Sequence, residues 1–270
     1  MFLQLFRVGN AVMGVIGVLA ASFMAAGFDI ADECVNLMIS AVVVFVFICG
    51  GNALNDYIDY EIDKTAHPER PIPSGMIERD VALYAGFLML LGSVVISLFT
   101  EDIECIVIVV IATILMVLYE TCLKQRGFIG NVTIAILTGM MFLLGGAVVG
   151  SVMDNMIVAA MASLVSVGRE ITKDIEDMDS DEGRKTLPMK IGVRNASILA
   201  CVFYIAGPIL SIQPMIVGTY GVLYYTVIIA DIMFLICAAY VFKDPHKSQK
   251  LAKMAMFVAL ISFILGVFKF

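Results

Sequence analysis

Long apolar runs, each sufficient to cross a lipid bilayer as a helix, account for most of this chain of 270 residues. A membrane-spanning helix needs about 20 mostly apolar residues, because lipid leaves every backbone polar group to be satisfied internally. Only 15% of the residues are charged, whereas soluble domains carry roughly a quarter. The sequence accommodates nine apolar runs, with eight as an alternative because some are short, at residues 8–27, 35–54, 81–100, 103–123, 128–150, 154–172, 194–212, 215–241 and 250–268.

The connections between these runs alternate in charge, which favours nine spans. Those after odd-numbered runs hold no Lys or Arg, and with nine spans all 17 basic residues except Lys269 fall on one side. Because Lys and Arg collect on the cytoplasmic side, we expect a multi-pass cell-membrane protein with a cytoplasmic N-terminus, cytoplasmic active-site loops and an external C-terminus. The predicted fold is all-α: one polytopic domain over residues 1–270, with about nine transmembrane helices bundled around a central cavity.

A cluster of acids follows the second apolar run, in the stretch GNALNDYIDYEIDK. On a helix, Asn55, Asp59 and Asp63 lie on one face, with Asp56 beside them. Acids at the end of a membrane helix are costly to desolvate and usually mark a functional site. Mg²⁺ prefers a few carboxylates together with phosphate oxygens, so these four residues are candidate metal ligands. The alternative is a solvated acidic helix end.

A second acidic helix end follows the sixth run. Asp174, Asp177 and Asp181 are spaced i, i+3 and i+7, which again places them on one helical face. The spacing around Asp177 imitates a calcium-binding EF-hand loop, but Pro188 stands where a bidentate Glu is required. Two acidic ends that face one compartment offer enough carboxylates for more than one Mg²⁺ and a diphosphate that bridges them.

Several polar residues near the cytoplasmic ends of the runs remain open to two interpretations. Tyr119 and Lys124 end the fourth run, where they could serve the chemistry or simply anchor the helix at the membrane interface. Three prolines stiffen the loop TAHPERPIPSG, which presents Arg70 back toward the first acidic end. Asp231, inside the eighth run, either lines a cavity or bonds a neighbouring helix.

Together these residues resemble the UbiA superfamily of intramembrane prenyltransferases. The family's first motif, NDxxDxxxD, stands at residues 55–63 and its companion RPIPSG at residues 70–75. The second motif, DxxDxxxD, stands at residues 174–181. Tyr119 and Lys124 match the family's tyrosine-and-lysine element, followed by Gly130 and Asn131. The resemblance covers essentially the whole chain.

The resemblance implies a polyprenyl diphosphate donor, two Mg²⁺ ions and a role for each matched residue. The implied catalytic residues are Tyr119, Lys124, Asp59 and Asp177. The implied metal ligands are Asn55, Asp56, Asp59, Asp63, Asp174, Asp177 and Asp181. The implied substrate contacts are Arg7, Asn10, Asn52, Arg70, Lys124, Asn131, Arg169, Lys173 and Lys185.

Residues 168–188 are most similar to the archaeal branch of the superfamily that makes ether lipids. This implies transfer of a geranylgeranyl group from geranylgeranyl diphosphate to geranylgeranylglyceryl phosphate, among membrane lipids and without a nucleic acid partner. One alternative is a family member with a quinone-precursor or chlorin acceptor. Another is a transporter, although transporters usually bind at helices broken near the bilayer midplane, whereas these acids cluster at one membrane face.

The charge pattern predicts that residues 64–80 and 174–192 face the cytoplasm and that residues 28–34 face outside. Single cysteines placed in these segments of a cysteine-free variant should react with an impermeant thiol reagent from opposite sides of the membrane. Labelling of residues 28–34 and 64–80 from the same side would contradict the nine-span topology.

Overall fold

The computed structural model describes residues 1–178 and 186–269, which form α-helices and no β-strand. Short 3₁₀ turns and one π-helical turn, Tyr119–Leu123, join some of the helices. The α-helices are α1 (Phe2–Leu5), α2 (Val8–Ala26), α3 (Cys34–Ile58), α4 (Tyr60–Ala66), α5 (Arg79–Ser97), α6 (Ile103–Leu118), α7 (Phe128–Val148), α8 (Met156–Glu176), α9 (Leu187–Ile191), α10 (Val193–Val217), α11 (Val227–Tyr240) and α12 (Pro245–Gly266).

The helices confirm the predicted all-α, polytopic membrane class. Within the described residues, 8 segments are long and apolar enough to cross a membrane, and the first of them, Val8–Ile58, contains both α2 and α3. The count of nine spans and the central cavity stay predictions.

The boundary between the seventh and eighth runs differs from the prediction. The sequence placed a connection at residues 213–214, whereas α10 continues to Val217 and α11 begins only at Val227. Pro214 lies in the last turn of α10, where its carbonyl accepts from the Gly218 amide at 3.0 Å. Gly218 has a φ of 71°, a conformation that glycine adopts without steric cost, so the helix ends there rather than at the proline.

The first of two compact units comprises residues 1–122 and 143–152, and close helix approach at glycines characterises it. In this unit α3 packs against α2 and α5, and α5 packs against α6. Gly50 of α3 faces Gly86 of α5 so closely that a Cβ atom on Gly86 would lie 3.0 Å from the Leu54 backbone nitrogen. Small residues are what allow such contacts between membrane helices.

The second unit comprises residues 123–142 and 153–270, with α8 packed against α10 and α12 and with α11 packed against α10 and α12. The Tyr204 and Phe234 rings stack in its core with centroids 6.2 Å apart. The Tyr204 hydroxyl lies 3.1 Å from that of Thr172, so its polar end is satisfied where the ring is fully buried.

Many large apolar side chains are exposed in the described part of the chain, and several acids are buried. Large apolar side chains such as Leu88 and Ile216 are exposed, whereas Asp56 and Glu120 are buried. An apolar exterior suits a lipid solvent, and ionisable residues in membrane segments usually face the protein interior. This apolar exterior therefore agrees with the membrane class, and the buried acids are candidates for a functional site.

The contact between Gly50 and Gly86 predicts a large difference between two alanine substitutions in α5. Gly86→Ala should lower the free energy of unfolding by about 1–3 kcal/mol, because the added methyl group meets backbone atoms of α3. Gly92→Ala is the matched control, since a Cβ atom there lies 3.9 Å from its nearest neighbour, Val46 Cγ1. Thermal unfolding in detergent measures both, and equal melting temperatures would contradict this account of the helix contact.

Candidate active site

Three aspartates at the junction of α3 and α4 are buried, although carboxylates are normally exposed. Asp56, Asp59 and Asp63 are 2%, 8% and 3% exposed, respectively. Asp59 stands between the two helices, and the hydrogen bonds from the Asp59 amide to Asn55 and from the Asp63 amide to Asp59 keep the i+4 spacing of a helix. We call Asn55 and these three aspartates the first acidic cluster.

Two arginines from distant parts of the first unit neutralise this cluster in part. Arg70 Nη1 donates to both carboxylate oxygens of Asp63, at 2.7 and 2.6 Å. The loop therefore places Arg70 against the acidic helix end, as the sequence predicted. Arg7 is paired with Asp56 and has a left-handed backbone with a φ of 45°. A residue other than glycine adopts this conformation only where the surrounding structure requires it.

The other basic residue of this segment makes a contrasting, exposed ion pair. Lys64 donates to Glu61 at 2.9 Å on the surface, and this hydrogen bond raises the pKa of Lys64. Exposed pairs of this kind contribute little to stability. Arg7 and Arg70 therefore pair with buried acids of the first acidic cluster, whereas Lys64 pairs with an acid at the surface.

The asparagines near the first acidic cluster have different positions. Asn52 Nδ2 donates to the Phe6 carbonyl at 3.0 Å and so ties the N-terminal residues to α3. Asn55 Nδ2 donates to both carboxylate oxygens of Glu120, at 3.1 and 3.2 Å. Asn10 is exposed near the start of α2.

The predicted tyrosine-and-lysine element lies where α6 ends and changes its geometry. Tyr119 and Glu120 open the π-helical turn, and Lys124 follows it in a 3₁₀ turn. Tyr119 and Lys124 are half-buried, whereas Glu120 is buried with 6% exposure. Single π-helical turns within α-helices occur frequently at functional sites. Sequence reasoning missed Glu120, although an acid next to the matched tyrosine was a usable signal.

The second acidic cluster, in the second unit, consists of Asp174 and Asp177 at the end of α8. Asn131 of α7 donates to Asp174 Oδ2 at 2.9 Å, which brings two predicted residues together. Asp177 directly follows α8, and its amide donates to the Lys173 carbonyl at 2.9 Å. The predicted ligand Asp181 and the predicted contact Lys185 lie outside the described residues.

The basic residues near the second cluster differ in their surroundings. Arg169 pairs with its neighbour Glu170, and Lys173 is exposed. His246 Nδ1 lies 2.6 Å from Glu176 Oε1 at the end of α8. Arg169, Lys173 and His246 are therefore all at least partly exposed near the end of α8.

Asp231 belongs to a separate part of the second unit. Ser211 of α10 donates to its Oδ2 at 2.7 Å, so Asp231 bonds a neighbouring helix. The same carboxylate lines an apolar cavity together with Phe142, Val165 and Phe234. The bond to a neighbouring helix is therefore observed, and the cavity that Asp231 lines is a local one within the second unit.

The donors of the first acidic cluster fit Mg²⁺ when a substrate supplies further oxygens. Across residues 1–178 and 186–269, no three His, Cys, Asp or Glu side chains form a metal-holding group by themselves. Mg²⁺ is typically held by one or two carboxylates plus substrate phosphates, with waters completing its shell. Buried hard oxygens beside two arginines meet that requirement, because the arginines can also pair with phosphate.

Buried acids and partnered arginines in a helical membrane protein define a membrane-embedded, acid-rich site. The UbiA prenyltransferase family matches residues 14–261. This match spans most of the sequence, and the chain belongs to the UbiA prenyltransferase family. It is therefore a membrane prenyltransferase.

Relatives named digeranylgeranylglyceryl phosphate synthase match the chain over nearly its whole length. Those from Methanosphaera stadtmanae and Pyrococcus furiosus are 36% and 38% identical, each covering 98% of this chain, with 98% and 96% of the relative covered. A solved structure from a study of digeranylgeranylglyceryl phosphate synthase in membranes is 34% identical, with a TM-score of 0.86 and coverage of 98% and 97% of the two chains.

A more distant solved structure shares the fold. It is a UbiA homologue from Archaeoglobus fulgidus bound to DMAPP and Mg²⁺, 12% identical, with a TM-score of 0.65 and coverage of 97% of this chain and 98% of that one.

Both acidic clusters should be essential for prenyl transfer. Asp59→Ala and Asp177→Ala should each lower kcat by roughly 100-fold or more, because each would remove a candidate ligand of the Mg²⁺ that would act as a Lewis acid on the diphosphate, while melting temperatures stay close to that of the wild type. Asp80→Ala is the control, since Asp80 is exposed in the first turn of α5. Near wild-type turnover of either variant at saturating Mg²⁺ would contradict the assignment of its cluster.

Proposed function

We propose that the protein transfers a geranylgeranyl group from geranylgeranyl diphosphate to geranylgeranylglyceryl phosphate, in an Mg²⁺-dependent reaction of archaeal ether-lipid synthesis. The observation that carries this proposal is the near full-length identity of 36% and 38% to relatives named digeranylgeranylglyceryl phosphate synthase. The residues of the two acidic clusters supply the chemistry that such a transfer needs.

The donor side of the reaction requires stabilisation of a diphosphate leaving group. The allylic C–O bond breaks, its electron pair leaves with the diphosphate, and positive charge develops on the prenyl carbon. Bound Mg²⁺ would act as a Lewis acid on the diphosphate oxygens. The candidate ligands are the first acidic cluster together with Asp174, Asp177 and Asp181, and we infer two ions. The Archaeoglobus fulgidus homologue binds DMAPP together with Mg²⁺, which supports the use of Mg²⁺ with a prenyl diphosphate.

Basic residues would complete the binding of the two anionic head groups. Arg7 and Arg70 already lie against Asp56 and Asp63, where a diphosphate could share their donors. Lys124, Arg169, Lys173 and Lys185 would contribute further positive charge, which a donor diphosphate together with an acceptor phosphate requires. Asn10, Asn52 and Asn131 would assist as neutral polar contacts.

The acceptor side needs a weak base and protection of the carbocation. The acceptor hydroxyl oxygen forms the new C–O bond and loses its proton, for which a carboxylate of the second acidic cluster would suffice. Trp is the strongest cation–π partner, but the chain contains none. The ring of Tyr119 would therefore have to stabilise the cation through its π face. An aromatic acceptor would instead be attacked at a ring carbon and would need a flat pocket.

We also propose that the N-terminus and both acidic clusters face the cytoplasm and that the C-terminus lies outside. The support is the distribution of the 17 Lys and Arg residues along the sequence. The anionic diphosphate of a prenyl donor would then enter the site from the cytoplasmic side.

A competition assay tests the acceptor. Purified protein receives labelled geranylgeranyl diphosphate, Mg²⁺, geranylgeranylglyceryl phosphate and 4-hydroxybenzoate at equal concentrations. We expect label only in the ether lipid and no transfer in the presence of a chelator. Transfer to 4-hydroxybenzoate alone would refute the proposed acceptor while leaving the family assignment intact.

A further inference from the structure

A buried glutamate that neither family motif includes lies against the first acidic cluster. Glu120 is 6% exposed in the π-helical turn after α6. Both of its carboxylate oxygens accept from Asn55 Nδ2, at 3.1 and 3.2 Å, across 65 positions of the chain. Burial of a carboxylate is costly without hydrogen-bond partners. The hydrogen bonds from Asn55 therefore help to keep Glu120 buried in the first unit.

The hydrogen bonds to Glu120 fix the orientation of the Asn55 side-chain amide. An ionised carboxylate only accepts hydrogen bonds, so the NH₂ group must face Glu120, and the reverse orientation would place oxygen against oxygen. The carbonyl oxygen Oδ1 is thereby turned away from Glu120. In the described part of the chain this oxygen accepts no hydrogen bond.

The packing of α3 on α6 fixes the distance between the two residues. Gly51 stands one turn before Asn55, and Met116 stands one turn before Glu120. A Cβ atom on Gly51 would lie 3.1 Å from the Met116 side chain, so the helices touch at this level as well. The contact moves from Gly51 and Met116 to Asn55 and Glu120, which is four residues further along each helix. The two helices therefore run in the same direction, and their packing holds Glu120 in place.

We propose that Glu120 is a positioning residue that holds the Asn55 amide so that Oδ1 remains a neutral oxygen ligand for Mg²⁺ with the donor diphosphate. This inference rests on the proposed function and extends it to a residue outside both motifs. Glu120 also adds negative charge beside the first acidic cluster, which increases its attraction for a divalent cation. Partners that orient metal ligands usually matter by 10- to 100-fold in affinity or activity.

The test compares Glu120→Gln with Glu104→Gln in the full-length protein in detergent. Glu104 is the matched control, because it is an exposed acid in the first turn of the same helix, α6. Two quantities are followed as Mg²⁺ is titrated with geranylgeranyl diphosphate present: the rise in melting temperature and the rate of prenyl transfer. For Glu120→Gln we expect the half-saturating Mg²⁺ concentration to rise about tenfold in both, with a smaller change in kcat at saturation.

An exchange of the two side-chain groups provides the second test. In Asn55→Asp the introduced carboxylate has no hydrogen to donate to Glu120 and is repelled by it, so its oxygens lose their fixed position and Mg²⁺ binding should weaken despite the added negative charge. In the double variant Asn55→Asp/Glu120→Gln, the introduced amide can donate to the introduced carboxylate, whose second oxygen takes the place of Oδ1. The combined loss should therefore be clearly smaller than the product of the two single losses. A purely structural contact would change the melting temperature without changing the Mg²⁺ dependence.

The outcomes separate this inference from the proposed function. A wild-type protein that transfers the prenyl group, with Glu120→Gln matching Glu104→Gln in Mg²⁺ dependence, would overturn the role of Glu120 alone. A wild-type protein with no Mg²⁺-dependent transfer would overturn the proposed function and this inference with it. If Glu120→Gln does not fold, the double variant is compared with Asn55→Asp alone, and an Mg²⁺ affinity no better than that of Asn55→Asp would refute the proposal.

Discussion

The burial of carboxylates at the end of α3 is the constraint on which the first unit depends. Taking a carboxylate out of water costs several kcal/mol unless a cation and hydrogen bonds replace the solvent. Arg7 supplies this replacement for Asp56 and Arg70 for Asp63. Because Arg7 precedes α2 and Arg70 lies in the loop after α4, the two pairs fix the N-terminal residues and the proline-rich loop beside the acids. The left-handed backbone at Arg7 is consistent with a position imposed by its partner.

Close contact between helices gives these pairs a rigid support. Lipid provides no hydrophobic force that drives helices together, so van der Waals contact between small residues takes a larger share. Gly50 and Gly86 bring α3 and α5 together in the first unit, and in the second unit Gly168 of α8 lies against Tyr204 and Ala200 of α10. The helices that carry the acidic clusters are therefore each held by a neighbour at close range.

The regular α-helical geometry is interrupted at the positions of the candidate catalytic residues. α3 gives way to α4 at Asp59, α6 passes into a π-helical turn at Tyr119, and α8 ends just before Asp177. Each change places polar side chains at the end of an apolar helix. This arrangement suits a prenyl diphosphate substrate, whose charged diphosphate would lie at the helix ends and whose hydrocarbon chain would lie in the apolar region.

The sequence by itself determined the helical membrane class, most helix positions and the two acidic motifs, because hydropathy and i, i+4 spacing are local properties. It also predicted that Arg70 returns to the acids, since only seven residues separate Arg70 from Asp63 and prolines stiffen the loop. The end of α10 escaped it, because Pro214 stops a helix in most contexts and here closes the last turn. Only the tertiary structure decided the pairing of Arg7 with Asp56 and of Asn55 with Glu120. Those partners lie 49 and 65 positions apart, and the packing of whole helices, which no local pattern encodes, brings them together.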